Sequence, residues 1–272
     1  MSEARFGWLV SYPRSGNTWL RFMLASLIEG GGPVDINETK AGAQATHDEF
    51  DEVSGIDSAL LTDEEIQRAR PALYSFIARG AASTPILRKV HDRCWRNAEG
   101  SRMFPPEVSL GAVYIVRDPR DVAVSYAHFS GAGIDETIRR MGDAGNTIGF
   151  RLIQFPQPLG SWSEHVVSWL DDSGMPIHRV RYEDLLAEPA AELAKVAVFL
   201  GMSPDGAPGA AAATQFENLR AQEEERGFRD LIYETRFFRQ GRVGGWRSAL
   251  SAAQVERIER DHGEVMARLG YL

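Results

Sequence analysis

The chain opens with an apolar run, a turn and an amphipathic segment. Phe6–Ser11 is short and continuously apolar, as is typical of a buried strand. Turn-forming residues cover positions 13–17, and apolar residues then recur at helical spacing from Thr18 to Glu29. Three glycines at 30–32 end this pattern. The first thirty residues therefore predict a strand, a tight loop and a helix.

The same alternation continues along the chain. Three further apolar runs predict strands at Pro85–Val90, Ala112–Val116 and Ile177–Tyr182. Helical patterns follow at 121–130, 162–170, 190–200 and 255–269. Strands that alternate with helices predict an α/β fold, in which helices cover both faces of one central parallel sheet. No repeat or clear linker divides the sequence, so we expect one domain over residues 1–272.

Two stretches carry weaker signals. Residues 46–65 are acidic and irregular, and we expect a solvated loop that leads into a helix capped at Thr62. Residues 205–213 are rich in alanine and glycine, and we expect a loop or a weak helix there.

Composition limits the classes of function. The 272 residues carry a formal net charge of −8, which argues against coating of nucleic acid and requires any anion site to concentrate positive charge locally. Cys94 is the single cysteine, so neither an internal disulfide nor a multi-cysteine zinc site can form. The N-terminus does not resemble a signal peptide, and no window approaches the about 20 apolar residues of a membrane helix. We expect a cytoplasmic protein.

The strongest local signal is the segment Ser11–Trp19 between the first strand and the first helix, called the phosphate loop below. Free backbone N–H groups and the positive end of the helix dipole favour an anion at such a turn. Gly16 permits close approach, Arg14 adds a permanent charge, and Ser15, Asn17 and Thr18 add donors. The loop lacks the Gly-Lys-Ser/Thr of a Walker A motif, and an ordinary strand-to-helix turn is the alternative.

A second candidate anion-binding segment, called the second anchor below, runs from Arg117 to Ser125. The third predicted strand delivers Arg117 at its carboxyl end, Pro119 turns the chain, and Asp121 can cap the helix that carries Ser125. An arginine with a hydroxyl suits a phosphate monoester. A surface arginine and an unrelated helix serine are the alternative.

The two motifs together resemble those of sulfotransferases that use 3′-phosphoadenosine 5′-phosphosulfate (PAPS). The family's 5′-phosphosulfate loop reads Tyr-Pro-Lys-Ser-Gly-Thr-Thr-Trp, and this chain departs from it at Arg14 and Asn17. The segment from Arg117 to Ser125 resembles the family's 3′-phosphate motif. The resemblance implies a P-loop-like three-layer fold, with the 5′-phosphosulfate held by the loop residues Arg14, Ser15, Gly16, Asn17, Thr18 and Trp19.

Later segments extend the resemblance. Tyr182 lies in a Tyr-Glu-Asp segment and would lie near the adenine, and Thr214 and Phe216 match a segment whose aromatic ring packs on the adenine. The late Arg-Lys-Gly…Gly-Asp-Trp motif appears with glutamine for lysine and Gly245 for aspartate. It implies three further donor-binding residues, Arg239, Gln240 and Gly241, of which Arg239 and the Gly241 backbone would close over the 3′-phosphate.

Candidate catalytic residues follow the second predicted strand. Lys89 and His91 are two positions apart at its end, so their side chains point to the same face. A histidine with an ordinary pKa of about 6.5 suits base catalysis near neutrality. The segment resembles the family's Lys-Thr-His, which implies that His91 is the base and that Lys89 and Arg14 stabilise the leaving group. A Cys94 nucleophile paired with His91 is a weaker alternative.

The function predicted from the sequence is sulfuryl transfer from PAPS to a hydroxyl of a small-molecule, glycan or lipid acceptor, with adenosine 3′,5′-bisphosphate (PAP) as the product. We expect no metal and no nucleic-acid partner. A small-molecule kinase with a degenerate phosphate loop, or a non-catalytic nucleotide-binding protein, is the alternative.

The acceptor is expected to bind outside these motifs. Its pocket is expected from the stretches 42–55, 92–106, 128–161 and 227–238, of which 128–161 is a candidate lid. Aromatic residues in these stretches suggest an apolar acceptor surface, with core packing as the alternative. They are Trp95, Phe104, Phe129, Phe150, Phe155, Phe228, Tyr233 and Phe237.

Overall fold

A four-stranded parallel sheet forms the centre of the protein. The computed structural model describes residues 5–39, 42, 45–82, 85–149, 155–229 and 236–272. In chain order the strands are β1 (Phe6–Ser11), β2 (Ile86–Val90), β3 (Ser109–Val116), β4 (Thr147–Ile148), β5 (Gln157–Pro158) and β6 (Ile177–Arg181). The central sheet has the order β2-β1-β3-β6 with every pairing parallel, while β4 and β5 form a short antiparallel pair.

Helices connect these strands. In chain order they are α1 (Asn17–Ile28), α2 (His47–Ser54), α3 (Asp63–Gly80), α4 (Pro119–Ser130), α5 (Ile134–Met141), α6 (Trp162–Leu170), α7 (Tyr182–Ala187), α8 (Pro189–Phe199), α9 (Ala207–Ala213), α10 (Phe216–Arg226), α11 (Trp246–Ala249) and α12 (Ala252–Arg268). Short 3₁₀ turns lie at Ser58–Leu60 and Pro106–Val108. Within the described ranges, no helix has the length and apolar character needed to cross a membrane.

The sheet divides the core into two apolar clusters. Alternate residues of a strand face opposite sides, so Trp8 and Leu9 belong to different clusters. On one face, α3, α4, α6 and α12 pack on Trp8 and Tyr114. On the other face, α1, α8 and α9 pack on Leu9 and Val113. The predicted parallel sheet with helices on both faces is confirmed.

Several local predictions need correction. Residues 47–54 of the acidic stretch form α2, which is capped by the Thr46 side chain and buries Phe50. Of the two structures expected for residues 205–213, a loop or a weak helix, residues 207–213 form a helix, α9, because three alanines on one face pack against α1 and α8. The fourth strand ends at Arg181, and Tyr182 begins α7. The helix predicted at 121–130 begins earlier, at Pro119, with Asp118 as its cap.

Candidate active site

The carboxyl ends of the central strands meet at one edge of the sheet, where ligands bind in open α/β folds. The phosphate loop follows β1, His91 follows β2, Arg117 follows β3 and Tyr182 follows β6. All four contribute to one cavity of about 1160 Å³. Of the site residues predicted from the sequence, those that line it are Arg14, Gly16, Asn17, Thr18, Trp19, Lys89, His91, Arg117, Ser125, Tyr182, Phe216, Arg239, Gln240 and Gly241.

The phosphate loop depends on a glycine at its turn. Gly16 caps α1 with φ of 105°, in the left-handed region that favours glycine. A Cβ atom added there would lie 2.6 Å from the Tyr182 ring, so the ring packs directly on the loop backbone. Arg14 also has positive φ, at 67°. The loop therefore turns sharply and presents the first N–H groups of α1, which have no acceptor within the helix.

The hydrogen bonds and burial of Ser15 and Asn17 show which groups of the loop are available to an anion. The Asn17 amide donates to the Leu9 carbonyl oxygen at 2.8 Å, which ties the loop to β1. The Ser15 hydroxyl and the Asn17 side-chain oxygen are buried and have no hydrogen-bond partner within the described residues. Ser15 lies behind the cavity wall and does not line it. The fit to a phosphate-like group therefore rests on Gly16 and Thr18, which line the cavity, and on the free helix N–H groups beside them.

Thr214 has a different place from the one predicted. Its side chain is fully buried and donates to the Ala210 carbonyl oxygen at 2.7 Å. Its own carbonyl oxygen accepts the indole N–H of Trp19 at 2.8 Å. The Thr214 hydroxyl thus bonds to the backbone of α9 and does not line the cavity. Thr214 contributes to the site by accepting a hydrogen bond from Trp19, which does line it.

Arg14 crosses from the phosphate loop to the second anchor. Its Nε donates to the Ser125 hydroxyl at 3.2 Å, and its Nη2 donates to the Phe237 carbonyl oxygen at 3.2 Å. The guanidinium lies between the rings of Phe129 and Phe237, at 4.6 and 4.4 Å from their centres. Burial, with a smaller effect from Arg117, lowers the pKa of Arg14 to about 10, so the group is charged at neutral pH.

Arg117 connects the phosphate loop to the segment Arg239–Trp246, called the arginine segment below. Its Nη1 donates to the Arg14 carbonyl oxygen at 3.1 Å and its Nη2 to the Arg242 carbonyl oxygen at 2.9 Å. Its guanidinium lies 4.3 Å from the centre of the Tyr182 ring. Burial, then Arg242 and Arg117, lower the pKa of Arg239. Positive charge is thus concentrated here in an acidic chain, as an anion site requires.

Asp121 holds the arginine segment in place. Its two carboxylate oxygens accept the backbone N–H groups of Gly244 at 2.7 Å and Trp246 at 2.9 Å. The expectation that Asp121 caps α4 is wrong, since Asp118 accepts the Arg120 N–H as the cap. Sequence reasoning missed this role because its partners are more than 120 residues away.

His91 is held in one tautomer. Its Nδ1 lies 2.7 Å from the Ser11 carbonyl oxygen, which can only accept, so Nδ1 carries the proton and Nε2 has the free lone pair. Its backbone N–H donates to the Gln157 side chain at 3.2 Å. Removal from water and then the charge of Lys89 hold the pKa of His91 well below its ordinary value. Lys89 Nζ lies 3.5 Å from the Thr18 hydroxyl, which places both side chains beside the phosphate loop.

A second, fully buried histidine supports His91. His165 Nε2 donates to the His91 carbonyl oxygen at 3.0 Å, so its Nδ1 accepts from the Tyr114 hydroxyl at 2.8 Å. The Tyr12 ring packs edge-on against His165, at 5.5 Å between centres. Burial lowers the pKa of His165 to about 4, so it is neutral. No local pattern in the sequence indicates this contact, because its two residues are 74 positions apart.

Comparison with known proteins agrees with this geometry. The model of the family described as "Sulfotransferase domain" matches residues 7–270, nearly the whole chain. The chain belongs to the sulfotransferase domain family. It is 26% identical over 266 residues to sulfotransferase 1C2 of Oryctolagus cuniculus, which covers 92% of this chain and 79% of that protein. It is 24% identical over 267 residues to sulfotransferase 1A1 of Rattus norvegicus, covering 94% and 82%.

Solved structures share the fold of this sulfotransferase. Retinol dehydratase in a complex with retinol and PAP aligns with a TM-score of 0.61 and 19% identity, covering 98% of this chain and 82% of that one. Mouse sulfotransferase SULT7A1 complexed with PAP aligns with a TM-score of 0.57 and 21% identity, covering 98% and 84%. The protein is a PAPS-dependent sulfotransferase. The kinase and the non-catalytic alternatives are not favoured.

Cys94 takes no part in the site of this sulfotransferase. It packs against the main core and does not line the cavity. Burial raises the pKa of its thiol to about 11, so the thiol is protonated at neutral pH. The alternative of a Cys94 nucleophile is therefore disfavoured. Within the described residues, no group of three or more His, Cys, Asp or Glu side chains could hold a metal ion.

Few of the aromatic residues assigned to the acceptor pocket face the cavity. Phe129 and Phe237 line it. Trp95, Phe104, Phe155 and Phe228 pack in apolar clusters instead. Phe150 and Tyr233 lie outside the described residues. Several polar side chains away from the phosphate loop also line the cavity, namely Thr39, Thr46, Asp63, Arg140 and Thr147.

Proposed function

We propose that this sulfotransferase binds PAPS along the cavity and transfers its sulfuryl group to the hydroxyl of a small-molecule acceptor. The phosphate loop would hold the 5′-phosphosulfate, and Arg117, Ser125 and Arg239 would hold the 3′-phosphate. The left-handed turn at Gly16, which lines the cavity, and the free N–H groups at the start of α1 support the first placement. The cluster of guanidinium groups supports the second.

The single observation that carries the mechanism is the hydrogen bond from His91 Nδ1 to the Ser11 carbonyl oxygen. It leaves Nε2 as an acceptor on a side chain that lines the cavity next to the phosphate loop. His91 would take the proton from the acceptor hydroxyl as its oxygen bonds to sulfur. Its depressed pKa keeps it neutral, and thus competent as a base, at neutral pH.

The bound donor would supply an activated sulfuryl group. As the bond from the acceptor oxygen to sulfur forms, the bond from sulfur to the phosphate oxygen breaks and leaves negative charge on PAP. Lys89 and Arg14 would stabilise that charge, and positioning with electrostatics would provide most of the rate. Lys89 lies beside Thr18 at the start of α1, which places its charge at the phosphate loop.

The acceptor is proposed to be a small molecule with a hydroxyl group. Retinol dehydratase, which shares the fold, has been solved with retinol and with androsterone. The cavity of about 1160 Å³ can hold a donor and a small acceptor together. The net charge of −8 argues against a nucleic-acid acceptor.

Donor binding is tested by calorimetric titration with PAP in EDTA, with adenosine 5′-monophosphate (AMP) and ATP as controls. We expect tight binding of PAP that requires the 3′-phosphate and is unaffected by the chelator. Preference for ATP, or binding that requires magnesium, would contradict the proposal and support a kinase.

The base is tested with His91→Ala, assayed with PAPS and an acceptor identified by screening hydroxyl compounds. Turnover should fall by about 10²–10⁴-fold while PAP affinity is retained. His262→Ala is the matched control, because His262 is also buried but contacts Ser163 on α6. A near-normal rate in His91→Ala with intact PAP binding would remove His91 from this role.

A further inference from the structure

The arginine segment (Arg239–Trp246) brings more positive charge to the cavity than the sequence motifs predict. Arg242 lines the cavity with Arg239 and Arg117 but belongs to none of the motifs identified above. Arg117 donates to the Arg242 carbonyl oxygen, and the charges of Arg242 and Arg117 both lower the pKa of Arg239. Three guanidinium groups therefore lie close together at one end of the cavity.

The Asp121 carboxylate lies near these groups but offsets only part of their charge, since it is one negative group beside three guanidinium groups. Asp121 uses both oxygens to accept the backbone N–H groups of Gly244 and Trp246. Within the described part of the chain, Arg117, Arg239 and Arg242 form no ion pair with an acidic side chain. Like charges repel at such distances, so an anion that binds between the guanidinium groups would relieve this repulsion.

Gly245 leaves room for the Arg242 guanidinium. A Cβ atom added at Gly245 would lie 3.3 Å from Arg242 Nε and 3.8 Å from its Nη2. An aspartate at this position would add a second carboxylate beside the guanidinium, since Asp121 Oδ1 lies 3.7 Å from the same Cβ position. The glycine thus keeps the charge of Arg242 available, whereas Gln240, two residues before it, is neutral.

We propose that Arg242 is a donor-binding residue that contacts the 3′-phosphate of PAPS and supplies the charge that Gln240 lacks. This inference rests on the proposed function, because Arg117, which contacts the Arg242 backbone, is there assigned to the same phosphate. A phosphate monoester carries close to two negative charges at neutral pH, so a third guanidinium adds a favourable charge-assisted hydrogen bond.

The test compares PAP with AMP, which lacks the 3′-phosphate, by calorimetric titration of the wild type and Arg242→Gln. The variant should bind PAP about 10–100-fold more weakly, as expected for one hydrogen bond between charged groups, and should bind AMP as the wild type does. Arg247→Gln is the matched control. Arg247 is an exposed arginine of the same region that stacks on Trp246 and lies outside the donor cavity. It should leave both affinities unchanged.

Two further variants separate direct contact from loop stability. Arg117 and Asp121 hold the backbone of the segment, so Arg242→Gln should keep its position. Gly245→Asp should weaken PAP binding in the wild type but have little further effect in Arg242→Gln. Gln240→Lys should restore PAP affinity in Arg242→Gln.

The outcomes distinguish this inference from the proposed function. If the wild type prefers PAP over AMP and Arg242→Gln retains that preference in full, the role of Arg242 is wrong and the proposed function stands. If the wild type does not distinguish PAP from AMP, both are overturned. A loss of PAP and AMP affinity by the same factor would show that Arg242 supports the fold of the segment and does not bind the 3′-phosphate.

Discussion

The hydrogen bond between His165 and the His91 carbonyl oxygen can be tested separately from the other contacts of His165. His165 donates from Nε2 to the His91 carbonyl oxygen and accepts at Nδ1 from Tyr114. Two substitutions each retain one half of this arrangement. In His165→Gln the amide N–H extends far enough to replace Nε2, whereas in His165→Asn the amide oxygen can replace Nδ1 and the donor to His91 is lost.

The structure sets the expected magnitudes. His165 and Tyr114 are almost fully buried. Each variant leaves one buried polar group without its partner, which costs about 1–3 kcal/mol of the free energy of unfolding. The two variants should therefore be destabilised to a similar extent. Only His165→Asn releases the backbone of His91, and a misplacement of about 1 Å at a reacting group can lower the rate about 10²-fold.

The assay measures kcat, KM and the melting temperature for both variants, together with PAP affinity. We expect His165→Asn to lower kcat about 10–100-fold with little change in PAP affinity, and His165→Gln to have a much smaller effect on kcat. In a His91→Ala background, His165→Asn should change the remaining rate by less than about twofold, because the group through which it acts is absent.

Two results would refute this reasoning. An equal loss of kcat in the Asn and Gln variants would show that His165 supports the fold alone. The same fold-loss with and without His91 would show that His165 acts by a route that does not involve the base.

The remaining predictions concern the phosphate loop, the arginine segment and pH. Gly16→Ala should lower stability by about 1–2 kcal/mol from its positive φ and weaken PAP binding because of the Tyr182 contact. Gly30→Ala, also at positive φ but in open space, should show the stability loss alone in denaturant titrations. Asp121→Asn, which can accept only one of two N–H groups, should lower the melting temperature and PAP affinity together; unchanged affinity would contradict its role. Burial lowers the pKa of His262 to about 4, so the unfolded chain binds more protons than the folded chain as the pH falls below about 6.5. The free energy of unfolding should therefore decrease as the pH is lowered from about 6.5 to about 4. Between pH 6 and 5 His262→Gln should reduce that slope by about 1 kcal/mol per pH unit, and parallel slopes would contradict this.

Local sequence patterns were sufficient to predict the central sheet and the phosphate loop. Phe6–Ser11 is buried throughout, so its apolar pattern is continuous, and Gly16 marks the turn that follows. The helix α10 (Phe216–Arg226) gave no such signal. Leu219 is its only buried residue, so an apolar stripe was not available to detect.

The long-range parts of the site could not be read from local patterns. His165 contacts His91 across 74 positions, and Asp121 contacts the arginine segment across more than 120. His165 lies on the apolar stripe of α6, whose spacing explains its burial without reference to any partner. Asp121 lies in the first turn of α4, where an acidic residue is common. Their roles follow only from the strand order, which brings the ends of β1, β2 and β3 together.

The departures from the family pattern are each matched by a nearby structural feature. Arginine at position 14 brings a planar group that lies between two phenylalanine rings, which a lysine ammonium would fill less well. Asn17 adds a hydrogen bond to β1 that the shorter threonine side chain could not make in the same way. Glycine at 245 leaves space for Arg242 beside the neutral Gln240. Each of these features involves a residue outside the motif. A comparison of motifs alone would therefore count the three departures as lost binding residues.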